Sequence, residues 1–491
     1  MTQQAKGKKQ SGVKKLAKET LIYGTSTIAA RLFNFFLVPV YTYYLVTSDY
    51  GIIATVFAFM ALFNIVYQYG MDQAYLRFAQ EHKDKNVFST PFNAVVLSSF
   101  ALSVLLYLIS PLIAAALGIG AQNAYLIKYC CFILALDAMN IIPFAKLRFE
   151  HRAWHFVIIR TLSIVVNVAG NLLALAYLKT GVDGIFMAGV FASLTSLILL
   201  LPVIKEDFKP VFDKKLFKQM FAFSWPFIPA GMASIMVNVI DKPLLSHLAG
   251  LDQVGIYQAN FKIGVFMMLA VSMFDQAWRP FFIQASEKPD CKELFAEVFS
   301  YFAAAASWLF LGLSFLIPLL IKTKFLGFNL IHENYWAGIN LIPLVLAGYL
   351  FYGFYINFMI APVLTKRTKV LMYITLAGAA ASIATNLLLV PHIGIIGAGW
   401  AIFTSYAVMA LCLFVFLQRN YPIKYQYKKL SLMAACAVLA LLVNMFAAEL
   451  PQAQNLAVKI AVLCVYPCAM LAILKLVKGG GSKDSGKLSE A

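Results

Sequence analysis

The chain has 491 residues, of which 61% are hydrophobic and only 13% are charged. Soluble domains carry about 25% charged residues, so a soluble protein of this length would lack the charge to cover its surface. The composition therefore excludes a soluble enzyme, a disordered scaffold and a small disulfide-linked domain. The 40 basic residues outnumber the 22 acidic ones and give a net charge of +18, which indicates either a nucleic-acid partner or a membrane topology signal.

Apolar segments close to the ~20 residues that cross a bilayer recur along most of the chain. They lack the short alternating pattern of barrel strands, so we predict an all-α integral membrane protein. In chain order, the fourteen predicted membrane helices cover residues 20–46, 50–73, 89–117, 123–146, 156–178, 183–204, 219–247, 253–275, 298–321, 336–364, 369–390, 394–417, 430–449 and 454–476.

The basic residues lie mostly on one side of this predicted topology. The two ends and alternate connections carry 31 of the 40 lysines and arginines, whereas the opposite connections offer only Lys179, Lys322 and Lys324. By the positive-inside rule the richer side is cytoplasmic, so both termini are predicted there, with an even number of crossings. Most of the net charge is then explained by the orientation of the helices in the membrane, and we expect no nucleic-acid partner.

Two short segments recur at a nearly constant offset. The stretch from Asp72 to Phe78 at the end of predicted helix 2 resembles the stretch from Asp275 to Phe281 at the end of helix 8, 203 residues later. Gly51 and Gly255, near the starts of the same two helices, are 204 residues apart. Because the offset spans six helices, the repeat predicts two lobes of the same orientation, which enclose a site that opens alternately to each side.

This repeat organises the whole chain into lobes and connecting segments. The predicted parts are a basic cytoplasmic arm (1–19), an N-terminal six-helix lobe (20–204), a cytoplasmic linker (205–218), a C-terminal six-helix lobe (219–417), helices 13 and 14 (418–477) and a flexible cytoplasmic tail (478–491).

Polar and charged side chains at membrane depth are costly and usually face a cavity or a partner. Asn64, Gln68 and Asp72 form a predicted i, i+4, i+8 stripe on helix 2, and basic residues outnumber acidic ones, which suits an anionic ligand. Lys128 and Arg160, which lie near helix ends, could instead reach the head groups, and Asp241 could simply neutralise a lysine. The predicted cavity residues are Arg31, Asn34, Asn64, Gln68, Lys128, Asn140, Arg160, Asn167, Asn171, Lys242 and Lys262, with Asp137 and Asp241 as candidates for a coupling ion.

The sequence also resembles a known family. The polysaccharide transporter branch of the multidrug/oligosaccharidyl-lipid/polysaccharide flippase superfamily is similar over predicted helices 1–8, at Tyr23-Gly24, Arg31, Pro39, Asp49-Tyr50-Gly51, Gly70, Arg77-Phe78, Asn238, Asp241-Lys242 and Val254-Gly255-Ile256-Tyr257. The resemblance implies a flippase for undecaprenyl-pyrophosphate-linked oligosaccharides of O-antigen, capsule or exopolysaccharide in a bacterial inner membrane. It implies alternating access around a cationic cavity. Lys242 stands where many relatives have arginine, which keeps the charge but not the bidentate geometry.

Several functions remain open at this point. A lipid II flippase shares the helix number and a cationic cavity, whereas a drug/cation antiporter would need acidic and aromatic pocket residues. A membrane glycan polymerase, which is an enzyme, would carry large outer loops with catalytic residues. We expect a transporter without catalytic residues, metal or cofactor, with H⁺ or Na⁺ coupling left open. Its expected partners are the anionic lipid-linked oligosaccharide, membrane lipids and polysaccharide polymerase or glycosyltransferases.

Overall fold

Helices make up nearly all of the computed structural model, which describes residues 28, 31–81, 86–325, 327–447 and 449–476. Thirteen helices in these ranges are long and apolar enough to cross a membrane. A further helix covers 31–44, so the described residues account for thirteen complete predicted helices and the end of the first. The prediction of an all-α integral membrane protein is confirmed. The predicted arm (1–19), most of the start of helix 1 and the tail (478–491) lie outside the described residues.

We number the long helices in chain order, with short interruptions included. They are α1 (31–44), α2 (Thr47–Glu81), α3 (Asn86–Leu108), α4 (Ala121–Phe149), α5 (Ala153–Tyr177), α6 (Val182–Asp207), α7 (Lys214–Val239), α8 (Leu251–Ala285), α9 (Cys291–Lys322), α10 (Glu333–Leu364), α11 (Lys369–Ile393), α12 (Ile395–Asn420), α13 (Tyr427–Ala447) and α14 (Ala453–Lys475). Helices suit this chain because a bilayer offers no partner for backbone groups, and a helix satisfies its own.

Shorter elements connect some of the long helices. Ser110–Ala116 and Asp241–Ala249 are short helices after α3 and α7. Two short antiparallel strands, β1 (Lys324–Phe325) and β2 (Phe328–Asn329), follow α9.

Helix α2 is interrupted two-thirds of the way along, which corrects one prediction. Its first part ends at Gln68, and Tyr69 and Gly70 both take left-handed backbone conformations before the helix resumes at Met71. Such a conformation ends a helix, and glycine adopts it without strain. The predicted stripe is therefore wrong beyond Gln68, because Asp72 lies after the break. Asp72 instead pairs with Arg148, with its Oδ2 3.2 Å from Nη2.

The first compact unit spans residues 1–262 and contains α1–α7 and the beginning of α8. In it α3 and α6 pack on α4, α5 packs on α6, and the first part of α2 packs along Leu251–Phe261 of α8. Helix α7 is interrupted at Trp225 and Pro226, where the sequence predicts a bend because proline lacks the amide hydrogen.

The second compact unit spans residues 263–491 and contains the rest of α8 and α9–α14. Helix α12 packs against both α10 and α11, and α13 and α14 pack on each other and on α9. The boundary between the units lies within α8, whereas the sequence places its lobe boundary at 205–218. The six-plus-six division by repeat stays a prediction.

Candidate functional site

The polar residues predicted at membrane depth form small clusters in the first unit, and the most buried one contains Asp241 and Lys242. Lys242 Nζ lies 2.9 Å from Asp241 Oδ1 and donates to the Asn238 carbonyl at 3.0 Å. The other Asp241 oxygen accepts from the Tyr257 hydroxyl, and Lys242 lies over the Phe261 ring at 4.4 Å. Asp241 is fully buried, and Lys242 is nearly so. The Lys242 charge is therefore neutralised locally by Asp241, whereas the Tyr257 hydroxyl that completes the cluster was not among the predicted site residues.

A second cluster joins α4 and α6 around Ser193. The Ser193 hydroxyl donates to Asp137 Oδ1 at 2.7 Å, and the Asn140 side-chain amide donates to the Ser193 carbonyl at 3.2 Å. Asn140 Oδ1 is buried and has no hydrogen-bond partner among the described residues. Arg160 of α5 is near enough to act electrostatically on Asp137, and its guanidinium lies 6.0 Å from the Phe144 ring centre. The sequence predicted Asp137, Asn140 and Arg160, but Ser193 carries no signal that separates it from other serines in an apolar helix.

Amides form the remaining predicted polar contacts. Gln68 hydrogen-bonds Asn64 one turn earlier on α2, as their spacing predicts. On α5, Asn171 donates to the Asn167 carbonyl at 2.7 Å, and its Oδ1 accepts from the Tyr41 hydroxyl of α1 at 2.9 Å. The Tyr41–Asn171 hydrogen bond therefore ties α1 to α5 in this conformation.

The basic residues Lys128, Arg160 and Lys262 lack such neutralisation. None has a carboxylate within ion-pair distance among the described residues of the first unit, although each lies within a helix span. Lys128 is half-buried, with its ammonium 4.7 Å from the Tyr107 ring centre, and Arg160 is exposed. Lys262 is half-buried and within electrostatic range of Lys242. A cation within an apolar helix and without a carboxylate partner attracts anions, so these three are the candidate anion-binding residues of the first unit.

Arg31 and Asn34, predicted on one face of α1, differ in exposure. Arg31 is half-buried and Asn34 is exposed. The structure thus brings together Asn64 with Gln68, Asn167 with Asn171, Asp137 with Asn140, and Asp241 with Lys242. It does not join the predicted residues of the first unit into one cluster.

The two repeat glycines meet in a close backbone contact that we call the α2–α8 seam, formed by Thr47, Gly51, Leu251 and Gly255. A Cβ placed on Gly51 would lie 1.9 Å from the Leu251 carbonyl oxygen, and one on Gly255 would lie 1.9 Å from that of Thr47. The contact is reciprocal, since Thr47 and Leu251 are separated by the same 204 residues as the two glycines. Only glycine permits this approach. The repeat predicted that the two glycine positions are equivalent, but it did not predict that they are in contact.

A buried ion network at the ends of α4 and α6 escaped the sequence analysis. Lys146 is 1% exposed, and its Nζ lies 2.7 Å from Asp207 Oδ2 and 3.0 Å from Glu206 Oε2. Arg152 Nη1 lies 2.9 Å from Glu206 Oε1, and this hydrogen bond raises the pKa of the arginine further. These basic residues were counted only as topology signals, because charge counting does not reveal which lysine folds back into the protein.

Known structures share this helical arrangement. One described as lipid II flippase MurJ, inward closed conformation, superposes with a TM-score of 0.74 at 15% identity, over 93% of this chain and 99% of that one. An inward-facing multidrug resistance MATE family transporter of the MOP superfamily gives 0.59 at 14% identity, covering 80% and 94%. The Vibrio cholerae MATE transporter VcmN in the bent form gives 0.51 at 12%, covering 84% and 97%. At these identities the likeness establishes the fold alone.

The family follows from the sequence match. A family model described as polysaccharide biosynthesis protein matches residues 16–286, more than half of the chain. The chain therefore belongs to this polysaccharide biosynthesis protein family, and the family prediction is confirmed. A search of curated protein sequences finds no significant match.

Proposed function

We propose that this protein is a flippase that moves undecaprenyl-pyrophosphate-linked oligosaccharide across a bacterial inner membrane for surface polysaccharide synthesis. The family match gives the biosynthetic context, and the fold is one that flippases and transporters use. The observation that carries the proposal is the set of cations within apolar helices that have no ion-pair partner among the described residues, namely Lys128, Arg160 and Lys262. An anionic pyrophosphate head supplies the missing counter-charge, and the protein itself performs no covalent step.

These cations differ in what they offer to a phosphate. Arg160 presents a planar fork of donors that suits two phosphate oxygens, whereas Lys262 offers a point charge deeper in its helix. Lys242 contributes less than its position suggests, because Asp241 occupies its ammonium at 2.9 Å. Arg160, Lys262 and the half-buried Arg31 would draw the pyrophosphate and sugars inward, while the prenyl tail stays in lipid.

The α2–α8 seam is our candidate for the closed outer gate of an alternating-access cycle. It lies at the starts of two helices that the charge pattern places on the extracytoplasmic side, where the repeat positions meet. Opening to the outside requires Gly51 and Gly255 to separate, which disrupts the Thr47–Asp252 hydrogen bond and part of the packing of α2 along Leu251–Phe261.

Of the two aspartates predicted to carry a coupling ion, Asp137 is the better candidate. Both Asp241 oxygens are occupied, one by Lys242 and one by Tyr257. Asp137 accepts one hydrogen bond from Ser193 and has no cation within ion-pair distance in the described first unit. A proton or sodium ion bound there would weaken its attraction for Arg160 and so couple ion movement to the site of the cargo.

A lipid II flippase is the second candidate, since the solved MurJ structure covers nearly the whole chain. The same cations would suit either cargo. Complementation separates the two: we express the protein in one strain lacking its polysaccharide flippase and in another depleted of its lipid II flippase. We expect restored surface glycan in the first strain and no restored growth in the second. Rescue of growth alone would establish the lipid II alternative, and rescue of neither would contradict both.

A further inference from the structure

A polar cavity of about 150 Å³ lies in the second unit, apart from every residue discussed so far. It sits where α9 and α13 begin and α14 ends, so these three helix ends meet at one face of the membrane. Its lining is almost entirely polar or charged: Glu293, Glu297, Ser300, Tyr301, Gln426, Lys429 and Leu474. One water needs roughly 10–15 Å³ measured in this way, so the space admits a small polar group of several heavy atoms.

Lys429 is the cationic wall of this cavity. It is 5% exposed, and its ammonium donates to the Leu474 carbonyl at the end of α14 at 3.3 Å. No carboxylate of the described residues lies within ion-pair distance of it, although its ammonium can donate three hydrogen bonds. Two carboxylates line the same cavity but neither is in direct contact with this ammonium, so an anion that hydrogen-bonds it would stabilise it.

Two glutamates of α9 form an anionic part of the lining. Glu293 and Glu297 are one turn apart on α9 and therefore share a face of that helix. The Tyr301 hydroxyl, one turn further, donates to Glu297 Oε1 at 3.3 Å and holds that carboxylate in place. Carboxylates attract a primary ammonium through both charge and hydrogen bonds. The cavity thus presents an anion-binding and a cation-binding wall at a membrane surface.

We propose that this cavity binds the head group of a phospholipid that carries both a phosphate and a primary ammonium, as phosphoethanolamine does. Lys429 receives the phosphate, Glu293 and Glu297 receive the ammonium, and the acyl chains extend into the bilayer along α13 and α14. A purely anionic head group would satisfy Lys429 but would be repelled by the glutamates. A choline head group has the charge but no N–H to donate. The site goes beyond the proposed transport function and makes the protein sensitive to the composition of one leaflet.

Lys429 also caps the end of α14, because a cation near a helix C-terminus is favourable. That role alone stabilises the protein equally in every lipid. A difference between lipids that depends on Lys429 and the glutamates is therefore what separates a lipid site from a helix cap.

The test uses the purified full-length chain in detergent with phospholipids of identical acyl chains and ethanolamine, choline or glycerol head groups. Thermal unfolding and equilibrium binding of a fluorescent ethanolamine lipid are measured for each. We expect the ethanolamine lipid to raise Tm more than the other two. Lys429→Met and the double variant Glu293→Gln/Glu297→Gln each lower its affinity about tenfold or more, as expected for lost charge-assisted hydrogen bonds. The matched control is Lys428→Met, which removes an exposed lysine next to the cavity and leaves binding unchanged.

Equal stabilisation of the wild-type protein by all three lipids would overturn the proposal. A preference for the glycerol head group that survives in the double glutamate variant would also overturn it, since it would mean binding of an anionic lipid by Lys429 alone. If Lys429→Met does not fold, the glutamate variant decides, because its residues are not buried in the core.

Discussion

Substitution of either seam glycine by alanine tests the closed gate. In Gly51→Ala the new methyl group would lie 1.9 Å from the Leu251 carbonyl oxygen, about 1.5 Å short of an ordinary contact of 3.4 Å. The obstructing atom is backbone and cannot rotate away. Relief therefore requires the first turns of α2 and α8 to move apart, and Gly255→Ala makes the same demand against Thr47.

The free-energy cost of this clash is estimated from the cost of overpacking a tightly packed contact. Inserting a methyl group into a tightly packed contact costs about 1–3 kcal/mol. If the helices separate to avoid that cost, the closed seam loses stability relative to an open one. Since 1.4 kcal/mol is a factor of ten, we expect the open population to rise about tenfold or more.

Thiol labelling measures this population. Ala259 lies one turn along from Gly255 on the same face of α8 and is fully buried, so a cysteine there reports opening of the seam. In a chain whose seven native cysteines are replaced, Ala259→Cys reacts with a membrane-impermeant maleimide added from outside. We expect each seam variant to raise the labelling rate about tenfold.

The matched control is Gly312→Ala, because a Cβ there meets only the Leu463 side chain at 3.9 Å. This substitution raises the helix propensity of residue 312, and we expect it to leave the labelling rate of Ala259→Cys unchanged. If both seam variants fold normally and label at the wild-type rate, the seam is not a gate and the reasoning from its geometry fails.

Three further substitutions test the clusters in the first unit. Lys146→Met removes the buried ammonium that pairs with Glu206 and Asp207, although Arg152 still pairs with Glu206, and should lower the free energy of unfolding by about 1–3 kcal/mol in denaturant. Arg77→Ala, which removes an exposed i, i+4 pair, should cost under about 0.5 kcal/mol. Lys262→Gln should abolish glycan export at normal protein levels and Lys262→Arg should retain it, so export by the glutamine variant would remove Lys262 from the cargo site. Asp137→Asn should eliminate the dependence of transport on a proton or sodium gradient, whereas unchanged dependence would return the role to Asp241.

Hydropathy predicted most of the fold. Each of the thirteen complete helices among the described residues was expected, since their apolar length is set by the bilayer and not by tertiary contacts. The break at Tyr69 and Gly70 was missed because the apolar pattern continues across it. That break carried Asp72 out of the predicted stripe and into its pair with Arg148.

The sequence predicted which polar residues belong to the candidate site, but it predicted few of the contacts between them. Spacing along one helix correctly paired Gln68 with Asn64, and Asn171 contacts Asn167 at the same spacing, because contacts within a helix follow from its period. Contacts between helices did not follow, so the hydroxyls of Ser193 and Tyr257 were missing from the prediction. The neutralisation of Lys242 depends on rotamers and burial, which the residue types alone do not determine.

The central claim is that the chain flips an anionic lipid-linked oligosaccharide, and reconstitution tests it most directly. Proteoliposomes containing the purified protein and an undecaprenyl-pyrophosphate-linked oligosaccharide are treated with a glycosidase that reaches only the outer leaflet. The lipid-linked oligosaccharide starts in the inner leaflet. We expect the glycosidase to cleave it in vesicles that contain the wild-type protein, and in vesicles with Lys262→Gln we expect no cleavage above that of protein-free vesicles. Cleavage no faster than in protein-free vesicles, with a correctly folded wild-type protein under an imposed ion gradient, would contradict the account.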